Sequence, residues 1–160
     1  MDGSRFEERP ATLGARLQLH VPPDPQLGRY VRDEVTAFAA ALEIPKSDLG
    51  DFLSAIGEAL ANAVEHSGVR DEVEVNVWLV GQDQLVATVV DRGIGFEPPG
   101  SAAVEPPVPD DFDERGRGIP IMRSCSDLFS VRSSPGHGTA VTIARFVRSG
   151  TAPRMRTLSR

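Results

Sequence analysis

Glu58 and Asn62 stand one helical turn apart in the stretch Glu58-Ala59-Leu60-Ala61-Asn62-Ala63-Val64-Glu65-His66. A carboxylate and an amide oxygen in that relation suit a magnesium–phosphate centre, because Mg²⁺ is a hard cation that takes oxygen ligands, substrate phosphates among them. The amide can ligate the metal directly, and the carboxylate is placed to accept a proton. Glu and Asn are mostly exposed residues in any protein, so a solvated helix face also accounts for the pair when it stands alone. Against that, Ser47 to Gly68 contains no lysine or arginine. Ala55 and Ala61 are expected to leave bare backbone beside the polar pair, where a solvent face ordinarily carries long charged side chains.

Glycine pairs supply further candidates. Asp91-Arg92-Gly93-Ile94-Gly95-Phe96 directly follows the apolar Val89-Val90. Glycines two apart permit a tight turn and close approach of the backbone to a flat ligand, and Asp91 adds a carboxylate at the end of a strand. Gly116-Arg117-Gly118 leads into Ile119, a glycine-flanked helix start whose free amides suit anionic oxygens. Gly136-His137-Gly138-Thr139 precedes a terminal strand. Each of these taken singly is also an ordinary turn, and none is a P-loop, since no glycine is followed by Lys-Ser or Lys-Thr.

The elements that must hold these residues follow from periodicity. Ala11 to Val21 alternates as a half-buried strand and stops at Pro22-Pro23. Leu27, Tyr30, Val31, Val35, Phe38, Ala39 and Leu42 recur at helical spacing up to Pro45. A second helix is predicted from an N-cap at Ser47 to about His66, with Leu49, Phe52, Leu53, Ile56, Leu60 and Ala63 on its apolar stripe and Asp51, Glu58, Asn62 and Glu65 opposite. Val73 to Leu79 and Leu85 to Val90 alternate around Gly81 to Asp83 as a hairpin. Gly118 to Cys125 opens a short helix that tolerates Pro120 only in its first turn. Leu128 to Arg132 and Thr139 to Val147 are the last strands, joined by Ser133 to Gly138.

Between the glycine pairs, Glu97 to Glu114 holds five prolines and six carboxylates with no lysine or arginine, and is expected to be a loop. This order, without internal repeats, is not the regular alternation of a doubly wound sheet and predicts helices layered on one face of a mixed sheet. The domain is expected over residues 11–148, with flexible segments at 1–10 and 149–160.

The 160 residues make about one domain. Seventeen basic against 23 acidic residues give a net charge of -6 and a pI near 5.1, the wrong sign for affinity based on neutralising phosphates of nucleic acid. The single cysteine, Cys125, excludes an internal disulfide and a thiolate cluster for structural zinc. A start rich in charge, and no run of about 18 apolar residues, argue against a secretory signal or a membrane span. A cytoplasmic protein is expected, folding alone or as a homodimer. His20, His66 and His137 are scattered, which favours structural or solvent-facing roles, and His66 is accounted for by the dipole at its helix end.

In this order the motifs resemble the GHKL ATPase superfamily, named for gyrase, a heat-shock chaperone, histidine kinases and MutL. E-A-L-A-N-A-V-E-H looks like its N box, D-R-G-I-G-F its G1 box, G-R-G-I-P-I-M its G2 segment and G-H-G-T its final glycine–threonine motif. The resemblance runs from about Leu13 to Val147. The chain is too short for the gyrase and chaperone branches and has no room for the phospho-accepting hairpin of a histidine kinase. It is similar to the stand-alone anti-sigma factor serine/threonine kinases of the RsbW and SpoIIAB type.

That resemblance implies an α/β (α+β) two-layer sandwich of the Bergerat ATP-binding type, with a mixed, mostly antiparallel sheet and helices on one face, that binds ATP and Mg²⁺, holds a sigma factor inactive and phosphorylates a serine on a small anti-anti-sigma partner of the STAS type. It implies Asn62 as the Mg²⁺ ligand, Glu58 as general base, Asp91 as acceptor from the adenine amino group and Thr139 as its supporting hydroxyl. An aspartate accepts from an exocyclic amino group but cannot donate to guanine's carbonyl, so Asp91 would prefer adenine. Gly93 and Gly95 would give the nucleotide room. Amides near Gly116 and Gly118, with a guanidinium from Arg115 or Arg117, would neutralise phosphate charge. Residues 97–117 would then be the lid, although its acid opposes phosphate and Pro120 removes one donor. Two alternatives stay open: an ATP-binding partner-switching regulator that only sequesters its target, and a detached histidine-kinase ATPase domain.

Overall fold

A computed structural model describes residues 15–66, 71–97 and 118–148 of the chain. The expected N-terminal and C-terminal segments, and the lid from 98 to 117, lie outside the described residues. The elements are strand β1 (Arg16–Val21), helix α1 (Leu27–Ala41), a 3₁₀ turn (Lys46–Asp48), helix α2 (Gly50–His66), strands β2 (Val73–Val80) and β3 (Gln84–Asp91), helix α3 (Gly118–Ser124), and strands β4 (Leu128–Ser133) and β5 (Thr139–Phe146).

The strands form one sheet in the order β1-β2-β3-β5-β4. Every ladder in it is antiparallel, which refines the mixed sheet expected from the element order. The crossover through α3 does deliver β4 in the same direction as β3, as a strand–helix–strand unit requires. But β5 occupies the slot between them, so the parallel pair is split and never hydrogen bonds.

Period-two alternation sorts each strand into a core face and an open face. Leu17, Val77, Ala87, Ile143 and Phe129 make one row across the core face, and Leu19, Val75, Val89, Val141 and Val131 the next. The helices cover this face. α2 buries Phe52, Ala55, Ile56, Ala59, Leu60 and Ala63, and α1 buries Leu27, Val31, Val35 and Ala39. On the open face, Arg16 donates to the Asn76 amide oxygen at 2.8 Å and lies 5.9 Å from the Trp78 ring centroid, while Asn76 donates to Glu74 at 2.7 Å. These bonds satisfy an amide that is only 4% exposed.

Two local expectations are corrected. Ser47 does not cap α2: it lies within the 3₁₀ turn, and the helix begins at Gly50. Asp48 is drawn out of any helix-end role by Arg148, whose Nε and terminal nitrogen donate to its two oxygens at 3.0 and 2.6 Å and whose backbone N–H adds a bond of 2.9 Å. Arg145 pairs with Asp51 at 2.7 Å in the same way. A cation missing from α2's own sequence thus arrives from β5 as Arg145, while Arg148, beyond the end of β5, pairs with the 3₁₀ turn that precedes α2. Ala55, expected to leave bare surface, is fully buried, because α2's apolar face extends around Ala55 and Ala59.

Candidate functional site

The third row of the core face begins with Val21 and Val73 and turns polar on β3, β5 and β4. Asp91 pairs with Thr139 across the β3–β5 ladder, and Thr139 pairs with Ser133 across β5–β4. Inward-facing strand ends next to a helix are where an apolar core runs out, so polar groups there need partners of their own. Asp91 and Thr139 are 7% and 8% exposed. The Asp91 carboxylate accepts the Gly93 N–H at 2.9 Å. Burial pushes this carboxyl above its ordinary value, against the backbone N–H groups of Gly93 and Thr139 and the charge of His66, which pull it down.

Two glycines knit the loops behind this row. Gly138 has φ +76°, and a Cβ there would lie 2.8 Å from the Arg92 Cα; Gly95 has φ +65°, and a Cβ there would lie 2.8 Å from the Ser134 carbonyl carbon. Where the sequence suggests room for a nucleotide at Gly95, the space is taken by the chain's own backbone. Gly136 N–H donates to the Ile94 carbonyl at 2.7 Å, and the Phe96 N–H donates to the Ser133 hydroxyl at 2.8 Å.

α2 lies over this end of the sheet. Glu58 and Asn62 point from its half-exposed side toward α3: a Cβ on Gly118 would come within 3.1 Å of the Asn62 Nδ2, 3.3 Å of its Oδ1 and 3.5 Å of Glu58 Oε2. Asn62, Asp91 and Thr139 also share a cleft with His66, floored by Ala59, Val89, Val131 and Val141 and walled by Phe96, Ile119 and Met122. Among the site residues expected from sequence, Glu58, Asn62, Asp91, Gly93, Gly118 and Thr139 are therefore brought to one end of the sheet. Arg115, Gly116 and Arg117 lie outside the described residues.

The cleft holds only about 10 Å³ of open space, about what one water molecule needs. A purine ring does not fit the cleft as it stands. Wider hollows lie elsewhere, about 300 Å³ beside His20, Glu74 and Arg92 and about 580 Å³ beside Asp51, Arg145 and Arg148. Neither contains the Glu58–Asn62 pair or the glycine loops, so size alone does not locate the chemistry.

Sequence reasoning missed His66 and Ser133. His66 is not only a helix-end residue: it follows Asn62 by one turn, faces the same cleft, and accepts the Ile94 N–H through its carbonyl at 3.3 Å. Its spacing from Asn62 is the signal that could have found it. Ser133 closes β4 rather than opening the turn, one residue beyond the strand expected.

Fold and site together define an α/β sandwich of the GHKL type, with its Glu58–Asn62 helix, Asp91 and glycine turns gathered at one end of an antiparallel sheet. Residues 21–145 match the family described as Histidine kinase-like ATPase domain, and the chain belongs to that family. Among similar relatives, the anti-sigma F factor of Clostridium beijerinckii is 30% identical over 125 residues, covering 72% of this chain and 83% of that one. The anti-sigma F factor of Lysinibacillus sphaericus is 34% identical over 118 residues, covering 71% and 80%. That of Thermoanaerobacter sp. (strain X514) is 27% identical over 138 residues, covering 83% and 94%. A crystal structure of RsbU and RsbW domains from Mycobacterium tuberculosis shares the fold, with a TM-score of 0.63 and 23% identity over 84% of this chain, which spans 33% of that longer one. No helix among the described residues is long and apolar enough to cross a membrane.

Proposed function

We propose that the chain is an ATP-dependent protein serine/threonine kinase and anti-sigma factor, which sequesters a sigma factor and phosphorylates a serine on a small anti-anti-sigma partner. One observation carries the reading: Glu58 and Asn62 meet the start of α3 beside a cleft that ends in Asp91 and Thr139. The anti-sigma names of the relatives support the choice of target.

In this reading Asp91 accepts from the adenine amino group, and the apolar floor of valines takes the ring. The Asn62 amide oxygen would hold Mg²⁺. Its donor type fits: Mg²⁺ is a hard cation that takes oxygen ligands, and one side-chain oxygen can hold it together with substrate phosphates and water. When bound, Mg²⁺ would neutralise phosphate charge. Glu58 takes the proton of the incoming serine hydroxyl as its oxygen bonds to the γ-phosphorus. The bond from that phosphorus to the bridging oxygen of ADP breaks. Amides near Gly116 and Gly118, and Arg115 or Arg117, stabilise the charge on the transferred group. The lid, about 97–117, excludes water.

The test is transfer of γ-labelled phosphate from ATP-Mg²⁺ to a co-purified anti-anti-sigma protein. Asn62→Ala and Asp91→Ala weaken ATP binding, and Glu58→Gln keeps binding but loses transfer. Acid-stable product identifies phosphoserine rather than phosphohistidine. A Glu58→Gln protein that transfers label normally removes Glu58 from the base role. Wild-type protein that retains its partner and ATP without labelling it would be a sequestering regulator instead.

A further inference from the structure

We propose that Ser133 is a positioning residue for nucleotide selection, setting the direction in which the Thr139 hydroxyl offers its proton. The inference rests on the reading above that a purine sits against Asp91 and Thr139.

Ser133, Thr139 and Asp91 form one row on the core face. A serine hydroxyl has a single proton and two lone pairs. Three polar groups surround the Ser133 oxygen: the Phe96 N–H at 2.8 Å, the Gly138 carbonyl oxygen at 3.1 Å and the Thr139 hydroxyl at 2.8 Å. The Phe96 N–H can only donate, so it occupies one lone pair. The Gly138 carbonyl can only accept, so it requires the Ser133 proton. All three contacts are then satisfied in a single arrangement, in which Thr139 donates its own proton to the second lone pair of Ser133.

The consequence falls on the cleft. With its proton committed to Ser133, Thr139 turns only lone pairs toward a ligand. Asp91 beside it is also an acceptor when ionised. The row therefore presents acceptors alone and favours a base edge that carries an amino group over one that carries a carbonyl at the same place. ATP and inosine triphosphate differ in that way: an exocyclic amino group in the first is a carbonyl in the second. Removing the Ser133 hydroxyl frees the Thr139 proton to turn into the cleft and donate to that carbonyl. Ser133 touches no ligand in this scheme and acts through Thr139.

The experiment measures equilibrium binding of ATP-Mg²⁺ and ITP-Mg²⁺ to the full chain, without turnover. Ser133→Ala is expected to weaken ATP, strengthen ITP relative to it, and lower the ATP-over-ITP preference by about tenfold, the size of one hydrogen bond. Ser133→Thr keeps the hydroxyl on a strand-compatible residue and restores the preference. Ser130→Ala, on the open face of the same edge strand, leaves it unchanged. A Ser133→Ala protein that loses both nucleotides equally, or retains the wild-type preference, overturns the inference, since a merely structural serine affects both ligands alike. If Ser133→Ala does not fold, Ser133→Cys, which keeps only a weak donor, carries the same expectation and the same refutation. Failure of the underlying reading looks different: wild-type protein would bind no ATP, or Asp91→Ala would bind it as well as wild type.

Discussion

Gly118, the first residue of α3, stands so close to Asn62 that one added methyl group would sit 3.1 Å from the amide nitrogen and 3.3 Å from the amide oxygen. The absence of a side chain at this position is what lets α3 approach the half-exposed side of α2. Gly118→Ala therefore has opposite effects on two observables. At this first position the helix gains only part of the interior preference for alanine over glycine, less than about 1 kcal/mol. The Asn62 amide must shift by a few tenths of an ångström, and ATP-Mg²⁺ affinity is expected to fall about tenfold. Calorimetric titration beside a thermal melt checks both, and unchanged affinity would remove Asn62 from the binding site.

Gly138 and Gly136 both lie in the β4–β5 turn with positive φ, +76° and +80°, yet only Gly138 faces other backbone. Gly136→Ala meets open space and should cost about 1–2 kcal/mol for the left-handed conformation alone. Gly138→Ala adds an approach of 2.8 Å to the Arg92 Cα and is expected to cost about 3 kcal/mol or more. Urea unfolding of the two variants compares them directly. Equal midpoints would mean that the two glycine loops are not packed as described.

Asp91 is held as a buried carboxyl whose proton affinity is raised by burial. Its ionised form opposes folding at any pH above the raised folded-state value, and that opposition disappears below the unfolded-state value near 3.8. Asp91→Asn should thus melt at or above the wild-type temperature near neutral pH, and the difference should shrink as pH falls toward 4. The same variant should bind ATP at least about tenfold more weakly, since an amide can replace only part of the carboxylate's acceptor role. A gain in stability without loss of affinity would separate Asp91 from the nucleotide.

Asp48 behaves in the opposite sense. Hydrogen bonds from the Arg148 side chain and backbone hold its carboxyl well below the usual carboxylate range. The stability this pair contributes is present above the unfolded-state value near 3.8 and is lost as pH falls from there toward the depressed folded-state value. Arg148→Ala should lower the urea midpoint near neutral pH and flatten the acid limb below about pH 4. The Arg148 side chain is exposed, so the effect should also diminish in about 1 M salt. An acid limb identical to wild type would assign acid sensitivity to other carboxylates.

Much of the molecule is legible without coordinates because its information is local. The stripe of Phe52, Ile56, Leu60 and Ala63, the hairpin of β2 and β3, and the Pro120 start of α3 all follow from periods and turn chemistry within a few residues. The candidate pair Glu58 and Asn62 is likewise a matter of spacing on one helix. His66 shows the limit: its position one turn after Asn62 is visible, but whether it faces solvent or the Asp91 cleft depends on what packs above it.

The sequence by itself determined the elements, their apolar faces and the order of the glycine turns, since each is written in neighbouring residues. Only the tertiary structure decided that Asp91, Thr139 and Ser133 form one row, that β5 separates β3 from β4, and that Arg145 supplies a cation to α2 and Arg148 one to the turn before it. The physical reason is reach. Strand register and ion pairing join segments far apart in the chain, and a hydrogen bond accepts or rejects a partner on differences of a few tenths of an ångström, which no local pattern encodes.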